Sequence, residues 1–145
     1  MGFLKKLFGG QNNKPNSVSQ PVSNPVPAPP PAPEPVQINE ISPADLKARL
    51  DNGDDLIVVD MRQGWEYQSG HIPGAMHMFL QEIPARFNEL PQNKDVIFQC
   101  WHGNTSLQAS GFLIQNGWNA NRVFSLNGGM AGWASTFGQA GLTKD

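Results

Sequence analysis

The chain has 145 residues, a formal charge of −2 and one cysteine, and nine of its 13 prolines fall between Pro15 and Pro35. That leaves about 100 residues, 38–138, for a folded domain, enough for one ordinary hydrophobic core. From residue 38 onward seven Lys and Arg face eleven Asp and Glu, a net charge of −4 that excludes the basic face of a nucleic-acid binder. A lone thiol excludes an internal disulfide and a CxxC redox pair and fits a reducing, cytoplasmic setting. No stretch approaches the ~20 apolar residues of a membrane span.

Residues 1–10 place Phe3, Leu4, Leu7 and Phe8 on one arc of a helical wheel with Lys5 and Lys6 opposite, the pattern of a short basic amphipathic segment. This fits either a weak contact with the inner membrane surface or a partner protein, or a frayed tail, because so short a helix does not hold alone in water. Residues 11–37 read as a disordered linker whose proline-rich half adopts extended polyproline II. At ~3.1 Å per residue it spans about 80 Å. From Val36 onward helices and strands alternate. A short strand ends at Ile41; Ser42 and Pro43 open a helix with Leu46 and Leu50 on one face; Leu56 to Asp60 is an apolar strand ending on a carboxylate. A helical turn near Trp65–Tyr67, a sharp turn at His71–Ala75 and a brief strand at Met76–Met78 come next. Ile83 and Phe87 mark another helix, Asp95–Cys100 another strand, Leu107–Gly117 a helix opened by hydroxyl caps at Thr105 and Ser106, Val123–Leu126 the last strand and Met130–Trp133 a final helix. Residues 139–145 form a C-terminal tail. Strands separated by helices predict a single α/β domain, with a mainly parallel sheet of about five strands covered on both faces.

Cys100 stands where the fourth strand gives way to a glycine-containing turn and a helix. In parallel sheets ligands bind beyond the carboxyl ends of the strands, and backbone N–H groups at a helix start favour an anion. An unperturbed thiol is only a few per cent thiolate at neutral pH, so such a loop would turn a weak nucleophile into a strong one.

The stretch Cys100-Trp101-His102-Gly103-Asn104-Thr105-Ser106 resembles the active-site loop of the rhodanese sulfurtransferases, especially the small single-domain bacterial thiosulfate sulfurtransferases. Val59-Asp60-Met61-Arg62 through Glu66, with Gly70-His71-Ile72-Pro73-Gly74-Ala75, is similar to the family's upstream motif. Leu126-Asn127-Gly128-Gly129-Met130-Ala131-Gly132-Trp133 is similar to its downstream one. The resemblance covers residues 38–137 and implies a rhodanese-like domain at 38–138. It implies that Cys100 takes a sulfane sulfur from thiosulfate or a similar donor as a persulfide. Cyanide, another small thiophile or a protein thiol then removes that sulfur, and no metal or organic cofactor takes part. Trp101 to Ser106 would form the substrate and persulfide loop. Asp60, Arg62, Glu66 and His71 would tie the surrounding loops together, with Arg62 the side chain to test for donor binding. Many members carry an arginine or lysine inside the loop; this one has none, which predicts weak affinity for thiosulfate.

Other readings are a tethered persulfide relay or protein-interaction module with incidental thiosulfate activity, a phosphatase, and a zinc site. The phosphatase reading lacks the arginine six residues after the nucleophile, where Ser106 stands. Zinc binding by Cys100 with His71, His77 and His102 has no recognised spacing.

Overall fold

The computed structural model describes residues 27–30 and 36–145. The amphipathic segment at 1–10 and most of the proline-rich linker lie outside the described residues. Within the unit Pro35–Asp145, the elements are β1 (Asn39–Ile41), α1 (Pro43–Asp51), β2 (Leu56–Asp60), α2 (Gly64–Ser69), β3 (Met76–His77), α3 (Ile83–Arg86), β4 (Asp95–Gln99), α4 (Thr105–Gln115), β5 (Val123–Leu126) and α5 (Gly129–Phe137). The five strands form one parallel sheet in the order β1-β5-β4-β2-β3.

Strand side chains alternate between two buried faces. Val59, Val96, Phe98 and Val123 pack beneath α3 and α4 with Ile83, Ala109 and Leu113. Val58, Ile97 and Leu126 pack beneath α1 and α5 with Leu46, Met130 and Trp133. A strand covered on both faces has no polar side, which is why Leu56–Val59 and Val96–Phe98 read as unbroken apolar runs. Each fully buried aliphatic or aromatic side chain of this kind contributes roughly 1.5–3 kcal/mol.

Local signals set the helix ends. Ser42 Oγ accepts the N–H of Asp45 at 3.0 Å, and Pro43 occupies the first turn, where its missing N–H costs nothing. At the C-terminus of α4, the Gly117 N–H donates to Ile114 O and that of Trp118 to Leu113 O, both at 3.1 Å. Gly117 supplies the required φ of 96°. Two elements differ from expectation. The helix around Ile83 is only four residues long and lies between 3-10 turns at Leu80–Glu82 and Phe87–Glu89. The three-residue step from Leu80 to Ile83 suits that tighter winding, and both side chains still reach the core. The last helix extends over Gly129–Phe137, because Trp133 and Phe137 stack edge to face with ring centroids 4.7 Å apart.

Asp60 of β2 lies in register with Gln99 of β4, so the chain leaves both strands side by side. The segments that follow β2, β4 and β5 therefore meet at the carboxyl edge of the sheet. Beyond α5, a 3-10 turn at Gly138–Gly141 leads to Thr143, which exchanges two backbone hydrogen bonds of 2.8 Å with His71. Among the described residues, no helix is long and apolar enough to cross a membrane.

Candidate functional site

Cys100 is the first residue past β4 and is 6 % exposed. Its Sγ accepts the backbone N–H of Gly103 at 3.2 Å and of Ser106 at 3.4 Å, and Ser106 Oγ lies 3.5 Å away. The expectation that hydroxyls cap α4 is corrected here. The cap residue is Asn104, whose side chain makes no capping bond, and Thr105 and Ser106 are already helical. The cysteine sulfur occupies the place of a capping oxygen and takes an otherwise unpaired first-turn N–H.

The loop is held from behind by α5. The N–H of Met130 donates to Cys100 O at 2.7 Å and that of Ala131 to Trp101 O at 2.9 Å. Gln99 Nε2 adds a second bond to Cys100 O at 2.8 Å. With these carbonyls turned toward α5, the Gly103 and Ser106 N–H groups are left to face the sulfur. Close approach requires glycine twice. A Cβ on Gly129 would stand 2.7 Å from the Trp101 carbonyl carbon and closer still to Cys100 O. Gly103 has φ 91°, and a Cβ there would press on Gly128 N at 3.1 Å.

A cavity of 330 Å³ opens over Cys100. Trp101, His102, Asn104 and Thr105 line it from the loop, Arg62 and Glu66 from the chain after β2, and Phe79 and Leu80 from the far wall. Arg62 is itself nearly buried in this wall. It donates to both Asp60 carboxylate oxygens at 2.7–3.2 Å and to Gly70 O at 2.8 Å, and its guanidinium lies 5.0 Å from the centre of the Trp101 ring. Glu66 accepts the Trp101 indole N–H at 2.6 Å and so fixes the ring at the rim. His71 does not line the cavity. It is 1 % exposed, stacks on Tyr67, and its ring nitrogens lie 2.7 Å from Tyr67 O and 2.8 Å from Asp145 O. Among the described residues no three His, Cys, Asp or Glu side chains converge to hold a metal ion.

Two participants escaped the sequence reading. Ser125, fully buried on β5, places its hydroxyl 2.7 Å from that of Ser106. Gln99 lies beneath the loop with one amide oxygen buried and unpartnered among the described residues. In each case the available signal was a polar residue within an otherwise apolar strand.

Burial opposes ionisation of Cys100. The Ser106 and Thr105 hydroxyls and the backbone N–H groups of Ser106 and Gly103 together outweigh it, and the thiol ionises below its ordinary 9.0. The N-terminus of the 11-residue α4 adds the positive end of its dipole on the same side. The site is therefore a stabilised sulfur nucleophile at the floor of an open, largely apolar cavity.

The profile of the rhodanese-like domain family matches residues 42–136, and the chain belongs to that family. A protein of Allochromatium vinosum named as a sulfurtransferase is 38 % identical over 97 residues, covering 67 % of this chain and 89 % of that one. Among solved structures, a rhodanese-like domain protein of Staphylococcus aureus is 27 % identical with a TM-score of 0.65, covering 74 % of this chain and 99 % of that one. The protein SSP1007 of Staphylococcus saprophyticus is 29 % identical with a TM-score of 0.63, covering 73 % and 99 %.

Proposed function

We propose that the chain is a rhodanese-type sulfurtransferase that carries sulfur as a persulfide on Cys100. The observation that carries this reading is the sulfur's double acceptance of the Gly103 and Ser106 N–H groups, at 3.2 and 3.4 Å, in a cavity open to small molecules. The thiolate attacks the outer sulfur of a sulfane donor such as thiosulfate. The sulfur–sulfur bond of the donor breaks, sulfite leaves with the electron pair, and Cys100 holds the persulfide. Cyanide or a thiol then attacks the outer sulfur and the thiolate returns. The same N–H groups stabilise the anion before and after transfer, so the chemistry needs no metal or organic cofactor. Asp60, Arg62, Glu66 and His71 serve to hold the loops, and Trp101 to Ser106 form the cradle. A cytoplasmic location fits a nucleophile that must stay reduced.

Intact-mass measurement after thiosulfate treatment tests the reading. One sulfur is expected to be added, to be lost on cyanide addition, and never to appear in Cys100→Ala. A wild type that gains no sulfur while its thiol still reacts with iodoacetamide would overturn it. A second reading, a tethered persulfide relay, is favoured by the run of nine prolines between Pro15 and Pro35. It predicts that the loaded chain passes sulfur to one protein thiol much faster than to cyanide.

A further inference from the structure

Gln99, the last residue of β4, is fully buried beneath the Cys100 loop. By strand alternation its side chain shares with Ile97 the face where Leu46, Met130 and Trp133 pack. Its Nε2 donates to Cys100 O at 2.8 Å, while its Oε1 finds no partner among the described residues. The amide cannot be turned round, because that would set oxygen against oxygen at the Cys100 carbonyl. Yet Cys100 O already has a donor in the Met130 N–H at 2.7 Å. A carbonyl with one good donor gains little from a second, whereas a buried amide oxygen without a partner is costly. For packing alone, an apolar side chain of the same length would serve better.

What the second donor changes is the peptide beyond the carbonyl. The Cys100–Trp101 peptide is trans, so its N–H points opposite to its C=O. With Cys100 O held by α5 and Gln99, the Trp101 N–H points away from both, and Trp101 is one of the residues lining the cavity. That N–H meets no acceptor among the described residues, for the resting sulfur takes those of Gly103 and Ser106 instead. A persulfide carries its outer sulfur one bond, ~2 Å, beyond the first. We infer that Gln99 is a positioning residue for the sulfur-laden state. Two donors on Cys100 O orient and polarise the Trp101 N–H, which then holds the outer sulfur of a Cys100 persulfide. The inference rests on the sulfur-transfer reading above and separates the support of the loaded sulfur from that of the empty thiolate.

The test is an equilibrium. The full chain is mixed with thiosulfate and sulfite at a series of ratios, and the loaded fraction is read by intact mass. The Cys100 thiolate takes the outer sulfur of thiosulfate and sulfite leaves with the electron pair; sulfite takes the sulfur back in the reverse step. With one cysteine in the chain, the added sulfur reports on Cys100 alone. In Gln99→Met, the thiosulfate-to-sulfite ratio at half loading is expected to rise about threefold with the loss of one polarising donor. Iodoacetamide alkylation of the unloaded thiol should keep its pH profile, and the thermal midpoint should hold or rise. Gln99→Leu carries the same three expectations and stands in if the Met variant does not fold. Failure of both to fold makes Gln99 structural and overturns the inference. Equal half-loading ratios in wild type and variant also overturn it, as does a raised ratio with a lowered midpoint or a displaced alkylation profile. If the wild type takes up no sulfur at any ratio while its thiol remains alkylatable, the sulfur-transfer reading falls, and the role of Gln99 with it.

Discussion

Ser125 makes no hydrogen bond to Cys100 among the described residues, yet its hydroxyl determines what the neighbouring hydroxyl can do. Ser106 Oγ lies 2.7 Å from Ser125 Oγ and 3.5 Å from the sulfur. When the sulfur is ionised, Ser106 donates to it and needs a donor behind it, which Ser125 supplies. Removing that donor in Ser125→Ala should weaken the thiolate by about 1 kcal/mol. Iodoacetamide alkylation near pH 6 should then slow about fivefold, with the whole pH profile displaced upward, while Ser125→Thr restores it. An unmoved profile would leave Ser125 a packing residue. The folded thiol ionises below its ordinary 9.0 and so binds fewer protons than the unfolded chain in the interval beneath that value. Stability from this group is therefore complete above 9.0 and is lost as pH falls through the folded value. Urea midpoints should fall with acidification across that interval in the wild type, and less steeply in Cys100→Ala. Cys100 was legible from its place at a strand-to-helix junction. Ser125 was not, because one serine inside Val123–Leu126 carries no sign of what lies across from it.

Two helices direct their N-termini at one loop, and they act on opposite sides of its backbone. The first turn of α4 gives the Ser106 N–H to the sulfur, while the first turn of α5 gives the Met130 and Ala131 N–H groups to the loop carbonyls. The close fit of α5 depends on Gly129, where a Cβ would stand 2.7 Å from the Trp101 carbonyl carbon, against backbone rather than a yielding side chain. Gly129→Ala should cost about 3 kcal/mol or more by chemical denaturation and also displace the loop enough to suppress sulfur loading. Gly53→Ala is the comparison. Gly53 shares a left-handed φ of 75° but meets nothing within 4 Å, so strain alone should cost about 1–2 kcal/mol and loading should persist. Equal losses in both variants would refute the wedge role of Gly129. The Gly128-Gly129 pair was readable as part of a familiar motif. Its mechanical task was hidden, because it depends on the distance between segments nearly thirty residues apart.

Across the whole domain, alternation of helices and apolar runs was enough to read a parallel sheet. The strand order, with β4 at the centre and β1 beside β5, is a matter of long-range pairing that local periodicity does not encode. The chain after α5 makes a comparable long-range contribution. The Trp133 indole donates to Gly141 O at 2.8 Å, Leu142 lies against Gly70, and Thr143 pairs with His71. Truncation after Gly138 should cost about 4 kcal/mol, taking roughly 1 kcal/mol for each of four lost hydrogen bonds, that of the His71 ring with Asp145 O included. Thermal melting would register this as a lowered midpoint, and an unchanged midpoint would show that the segment contributes nothing. Because Gly70 also receives the Arg62 guanidinium, that loss would reach the cavity wall.

The seating of α5 against the Cys100 and Trp101 carbonyls has a kinetic consequence. On the proposed sulfur transfer, a cysteine whose backbone is fixed to a helix in this way needs no movement of that backbone to react. If the same backbone receives the empty and the sulfur-laden side chain, each turnover is timed by encounters and bond-making, without a gate to open or a lid to shut.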